Sequence, residues 1–200
     1  MTTEKKNKKI IKIEINKYIE HVTISKKRRP KYKIDSKGEK VLLNPRTVGK
    51  ERKWKINGQS LYSGMNHNLR AKVVKEIKKY LYEFIRPIPE IKWKPVCIEL
   101  EFYYVKGVKN KKGEVVNSWD LGNQEFIWMK CFEDALCGNV DFIQKDPPEG
   151  KKKKVSIPMR DKYPAKIEDD SVEFIAQRIC TFKPIESTED RKLIFIIKPI

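Results

Sequence analysis

The chain has 200 residues, 39% of them apolar and 10% aromatic, enough for one full domain with a core and too apolar for wholesale disorder. Lys and Arg outnumber Asp and Glu 45 to 27, a net charge of +18. A field that strong on so small a protein points to a polyanion, since each neutralised phosphate releases condensed counterions; a solvated, lysine-rich surface is the plain alternative. No apolar run approaches the ~20 residues that span a bilayer, and the start MTTEKKNKKIIKI lacks the apolar stretch of a secretory signal. Cys97, Cys131, Cys137 and Cys180 form no C-x-x-C pair and have no histidine partners at zinc spacing. These features predict a cytoplasmic protein with reduced core cysteines and no membrane association.

In chain order, residues 10–24 (IIKIEINKYIEHVTI) alternate apolar and polar positions, as a half-buried strand does. Residues 25–60, with KKRRPKYK and NPRTVGKERKWK, read as a long basic hairpin or loop. From Ser63 the period becomes helical. Leu69, Val73, Ile77, Leu81 and Phe84 make an apolar face opposed by Arg70, Lys72, Lys75 and Lys79, until Pro87 and Pro89 stop the helix. VCIELEFYYV (96–105) is an alternating strand, followed by the basic turn KGVKNKKGE. Asp120 to Cys137 reads as a second helix, with Phe126, Met129, Phe132 and Leu136 inward and Gly138 as its C-terminal cap. Residues 139–168, around KDPPEGKKKKVSIP, read as an exposed basic insertion, and SVEFIAQRICTF and KLIFIIKPI as closing strands. This order predicts one α/β domain over residues 1–200. It has a small mixed β-sheet, two main helices, and basic insertions at about 25–60 and 139–168.

The chemistry-bearing residues fall in SWDLGNQEFIWMKCFEDAL and KIEDDSVEFI. Asp120 sits where a carboxylate caps a helix N-terminus. Asn123, Ile127, Lys130 and Asp134 follow at spacings of four, three and four, along one helix face. That face is either solvated, with Lys130 and Asp134 as an ordinary ion pair, or one wall of a site. Glu168, Asp169 and Asp170 crowd three carboxylates before a strand. They serve either as counter-charges in a basic protein or as oxygen donors for Mg²⁺, which takes one or two carboxylates plus water and phosphate.

The order Asp-x-x-Asn, Lys-x-x-x-Asp-Ala-Leu and Asp-Asp-x-x-Val resembles the signature of the RusA-type Holliday junction resolvases, over roughly Leu61 to Phe182. The resemblance implies a dimeric α/β fold whose aspartates bind Mg²⁺, with Mn²⁺ as a substitute, and cut the backbone of branched DNA. On it, Asp120, Asn123, Lys130, Asp134, Asp169 and Asp170 are the site residues, and Asp120, Asp134 and Asp170 the metal ligands. Two departures stand out. Gly122 takes the place of the motif's second Asp, and Lys130 follows Asp120 by ten residues where the family has six, an insertion of about one helical turn.

DNA affinity is expected from the basic runs, namely Lys26, Lys27, Arg28 and Arg29; Arg52 and Lys53; Lys109, Lys111 and Lys112; and Lys151, Lys152, Lys153 and Lys154. Trp54, inside RKWK, is a core residue or a base-stacking one. No Gly-rich phosphate loop is present, so no nucleotide cofactor is expected. The leading expectation is a homodimeric, Mg²⁺-dependent endonuclease that resolves four-way junctions. The alternatives are a non-catalytic nucleic-acid-binding protein, for which Gly122 argues, and a metal nuclease acting on flaps, single strands or RNA.

Overall fold

A computed structural model describes residues 10–27, 32–42, 48–56, 61, 65–105, 121–146 and 154–200. The chain forms two compact units, a larger one of Met1–Tyr18 with Asn57–Ile200 and a smaller one of Ile19–Ile56.

The larger unit is built on a four-stranded mixed sheet. It uses β1 (Ile11–Asn16), β6 (Val96–Val105), β9 (Ile175–Ile185) and β10 (Lys192–Pro199), in the order β1-β10-β6-β9. β10 pairs antiparallel with both β1 and β6, and β9 lies parallel to β6 at the edge. The register puts Ile13, Phe195, Leu100 and Cys180 in one row across the sheet, and Ile15, Leu193, Phe102 and Phe182 in the next. The strand alternation thus sums to one apolar face. On the opposite face the alternate residues pair as ions, Lys192 with Glu14 and Lys198 with Glu99.

Helix α1 (His67–Ile85) and helix α2 (Leu121–Leu136) pack together, and α2 lies on the apolar face. Its Phe132 stacks flat on Phe195 of β10, with ring centroids 3.8 Å apart, and its Trp128 meets Tyr18 edge-on. Trp128, Phe132, Phe102 and Phe195 are fully buried, each contributing about 2–3 kcal/mol of hydrophobic stabilisation. α1 begins at the Asn66 cap, whose side chain accepts from the Asn68 amide, and ends just before Pro87.

Four differences from the sequence reading have local causes. The strand expected over 10–24 divides at Lys17, which takes φ 51° and donates its amide to the Arg191 carbonyl. β1 therefore joins the large sheet, while β2 (His21–Lys27) belongs to the smaller unit. Phe126, expected inward, is 55% exposed, while Met129, Phe132 and Leu136 are buried together with Ile127 and Trp128, so the buried face of α2 begins after Phe126 and is wider than the expected stripe. The insertion expected over 139–168 contains a hairpin of β7 (Phe142–Lys145) and β8 (Val155–Pro158), then an ordered strap in which Tyr163 and Ile167 are buried. Finally, the strand expected from Ser171 begins at Ile175, because the Ser171 carbonyl instead accepts the amides of Phe174 and Ile175 in a turn.

In the smaller unit β2 pairs antiparallel with β5 (Val48–Lys55), and β3 (Tyr32–Ile34) with β4 (Lys40–Leu42). The two ladders are nested in sequence, as the outer and inner rungs of a hairpin are. The β3–β4 turn is set by the Asp35 carboxylate, which accepts the amides of Lys37 and Glu39 at 2.9 Å, and by Gly38 at φ +82°. Of residues 25–60, read as a long basic hairpin or loop, the described ones thus include the strands of two antiparallel ladders.

Candidate active site

Three of the residues singled out from the sequence converge. Lys130, on α2, gives its ammonium both to Asp170, in the segment before β9, and to Asp134 Oδ1 at 3.1 Å. The strap explains how a residue 40 positions away arrives there. At the end of α2, Gly138 adopts φ +72°, and a Cβ at that position would lie 2.6 Å from the Tyr163 carbonyl oxygen. Only glycine lets the returning chain cross so close. The strap then hydrogen-bonds to the helix terminus, the amides of Lys166 and Ile167 both donating to the Leu136 carbonyl at 2.6 and 3.2 Å. Tyr82 Oη of α1 holds its other side by donating to the Pro164 carbonyl at 3.0 Å. Asp169 lies beside the cluster, its Oδ1 accepting the Asp170 amide at 2.7 Å.

Three further residues complete the network, and the sequence reading did not single them out. Lys78 of α1 is 9% exposed and places Nζ 2.6 Å from Asp134 Oδ2 and 3.1 Å from the Asn139 carbonyl. Glu133, 2% exposed, is bound by Arg178 of β9 through Nε at 2.5 Å and Nη2 at 3.3 Å. The same Nη2 reaches the Asp170 carbonyl at 3.3 Å. A signal for Lys78 was present, since Lys78, Leu81, Tyr82 and Ile85 follow the i, i+3, i+4, i+7 pattern of a core face. A lysine at a core position needs a buried carboxylate.

Charge is balanced across the innermost groups, with Lys78 and Lys130 facing Asp134 and Asp170. The ammonium of Lys130 is destabilised by partial burial, but Asp170 and Asp134 more than offset that and raise its pKa. Asp170 is held below the usual carboxylate range, chiefly by its hydrogen bond from Lys130. The cluster opens to solvent on one side, where the Lys130 and Asp170 side chains are 42% and 30% exposed.

Asn123 lies on α2, upstream of Lys130. Asp120 lies outside the described residues, as do Arg28, Arg29, Lys109, Lys111, Lys112, Lys151, Lys152 and Lys153. Lys26 and Lys27 are in β2, and Arg52, Lys53 and Trp54 in β5. Trp54 is half-buried and sits opposite Val22. Lys154 precedes β8, exposed, 3.8 Å from Asp146. Nucleophilic thiol chemistry has no support here, because burial pushes Cys131 and Cys137 up to about 12. An open cleft of about 470 Å³, with Glu186, Glu189 and Asp190 on its walls, shares no residue with the cluster, and its acidic lining suits no phosphate.

As a cation site, the donor set fits. Asp134 and Asp170 offer the hard oxygens that Mg²⁺ prefers, and the one ammonium they share shows that both already address a single cation position. Among the described residues no group of three or more His, Cys, Asp or Glu could hold a metal, so water and phosphate oxygens would complete the shell. Among the described residues, too, no helix is long and apolar enough to cross a membrane. Comparison with protein-family models, with curated proteins and with solved structures finds no match to this chain.

Because Lys78 and Asp134 are both largely buried, Lys78→Met should leave Asp134 with Lys130 alone and cost about 2–3 kcal/mol, somewhat less than the loss of an only partner. Urea unfolding measures this, and an unchanged midpoint would show that Asp134 does not depend on Lys78.

Proposed function

We propose that this chain is a RusA-type, Mg²⁺-dependent endodeoxyribonuclease that cuts branched DNA as a homodimer. The observation that carries the reading is the meeting of Lys130, Asp134 and Asp170 at one solvent-accessible point. They are three positions of the motif on which the resemblance rests, and they come from two elements of the fold, α2 and the segment before β9. A surface ion pair would need only Lys130 and Asp134, one helical turn apart.

Asp134 and Asp170 would hold the ion, with Asp120 as a third ligand. Mg²⁺ there supplies Lewis-acid activation of a water and neutralisation of the scissile phosphate. With a cation held by those carboxylates, Lys130 would be the group placed to bind a non-bridging phosphate oxygen where charge builds up in the transition state. Lys78 keeps Asp134 oriented, and Arg178, anchored by Glu133, steadies the Asp170 backbone. Two copies related by a two-fold axis would present two such sites, suiting paired cuts in a four-way junction.

One observation favours the second reading, a protein that binds nucleic acid without cutting it. Asp134 and Asp170 are each already neutralised by lysine, and Gly122 supplies no carboxylate. Labelled four-way junctions, with duplex, flap and single-strand controls, separate the two in Mg²⁺ against EDTA. Metal-dependent nicks at the junction are expected; tight binding with no cut in Mg²⁺ or Mn²⁺ would leave the binding-only reading.

A further inference from the structure

Half of the net charge resides in a unit that the cleavage chemistry does not use. Ile19–Ile56 carries thirteen Lys and Arg against four Asp and Glu, a net +9 of the chain's +18. In the larger unit many lysines are engaged, among them Lys12, Lys75, Lys78, Lys130, Lys192 and Lys198, all in ion pairs. In the smaller unit Lys33, Lys37, Lys40, Arg52, Lys53 and Lys55 are exposed, and their side chains form no ion pair among the described residues. Uncompensated like charges on one small ribbon repel one another, and a polyanion relieves that repulsion.

The ribbon also has sides. In the β2–β5 ladder, Val22 and Ile24 are buried, and Trp54 shares their side opposite Val22. The other side presents His21 opposite Lys55 and Thr23 opposite Lys53, all four exposed. Cations and hydrogen-bonding side chains therefore occupy an outward strip. A two-stranded antiparallel ribbon fits the major groove of B-form DNA, whereas the major groove of A-form RNA is too deep and narrow to admit it.

We propose that the β2–β5 and β3–β4 ladders form a β-ribbon arm that binds duplex DNA through the strip bearing Lys53 and Lys55, with Lys33 of the inner ladder contributing. The binding is electrostatic and independent of metal. It does not rest on the cleavage reading.

The test uses the full chain in EDTA, so that no cleavage intervenes, and reads fluorescence anisotropy on a labelled DNA duplex. The variant Lys33→Gln/Lys53→Gln/Lys55→Gln is compared with a charge-matched control, Lys72→Gln/Arg86→Gln/Lys92→Gln, whose residues are exposed on the larger unit. Circular dichroism checks that both are folded. Loss of three phosphate contacts should weaken binding by about 100-fold near physiological salt and reduce the slope of log K against log salt by about 2.7. The control should bind within a few-fold of wild type. Wild-type affinity in the arm variant, or an equal loss in the control, would overturn the assignment. Equal, arm-dependent affinity for duplex RNA or for anionic phospholipid vesicles would overturn duplex DNA as the partner. Arm-dependent binding without cleavage in Mg²⁺ would leave the arm in place and remove the nuclease reading instead.

Discussion

Asp170→Asn should abolish junction cleavage, by at least about 10²–10³-fold, while leaving DNA binding unchanged or tighter. The substitution keeps the shape of the side chain and removes the charge that Lys130 binds and that a metal ion would require at this position. Binding does not suffer, because a carboxylate facing a phosphate backbone is repulsive and its removal relieves that term. The fold should survive as well. Lys130 and Asp170 are partly exposed, and an ion pair of that kind contributes about 0–1 kcal/mol. A cleavage assay paired with a thermal melt therefore separates chemistry from folding. A variant that cuts at a wild-type rate would remove Asp170 from the site, and one that melts far below wild type would make it structural.

The pair also has a defined pH window. The pKa of Asp170 is depressed below the ordinary 3.8 of an aspartate, so its contribution to stability is present above that value and is lost as pH falls through the lower, folded-state pKa. The raised pKa of Lys130 works in the opposite sense, its contribution being present below 10.5 and lost as pH rises through the higher folded-state value. At neutral pH both groups are charged. The melting temperatures of wild type and Asp170→Asn should thus differ most at neutral pH and converge as pH falls below 3.8 through the depressed folded-state pKa of Asp170.

How much of this was legible in the sequence depends on whether the signal was periodic or positional. Alternation in VCIELEFYYV located β6 and its inward face, and the spacing of Val73, Ile77 and Leu81 located α1, because burial writes itself into the chain at those periods. Gly138 as a helix cap was legible because few positions demand positive φ. Lys130, Asp134 and Asp170 were legible as a motif, but their meeting was not. It depends on the strap docking on the Leu136 carbonyl, through backbone groups that every residue possesses. β1 and β2 merged into one expected strand because the break at Lys17 is conformational and carries neither Gly nor Pro. Arg178 was invisible for a related reason. In IAQRICTFKPI the inward set is Arg178, Cys180 and Phe182, and an edge strand exposed along much of its length shows no clean alternation.

Arg178 nevertheless carries the largest stability effect expected in the larger unit. Arg178→Met should destabilise the protein by about 3–5 kcal/mol, although the arginine itself is 40% exposed. The asymmetry lies in its partner. Glu133 has only 3% of its side chain exposed, inside the packing of α2, and accepts two guanidinium bonds there. Removing the arginine leaves a buried carboxylate with neither its counter-ion nor water, and the desolvation cost reappears in full. For a chain of this size the loss corresponds to a fall in melting temperature of roughly 10 °C. Glu133→Gln/Arg178→Met should recover much of it, because a neutral amide costs less to bury than a charge. A double-mutant cycle read by urea unfolding checks both statements. If Arg178→Met unfolds at the wild-type midpoint, Glu133 is stabilised by something other than the guanidinium. If the double variant is no better than the single one, the loss comes from the packing of the arginine stem and not from the stranded charge.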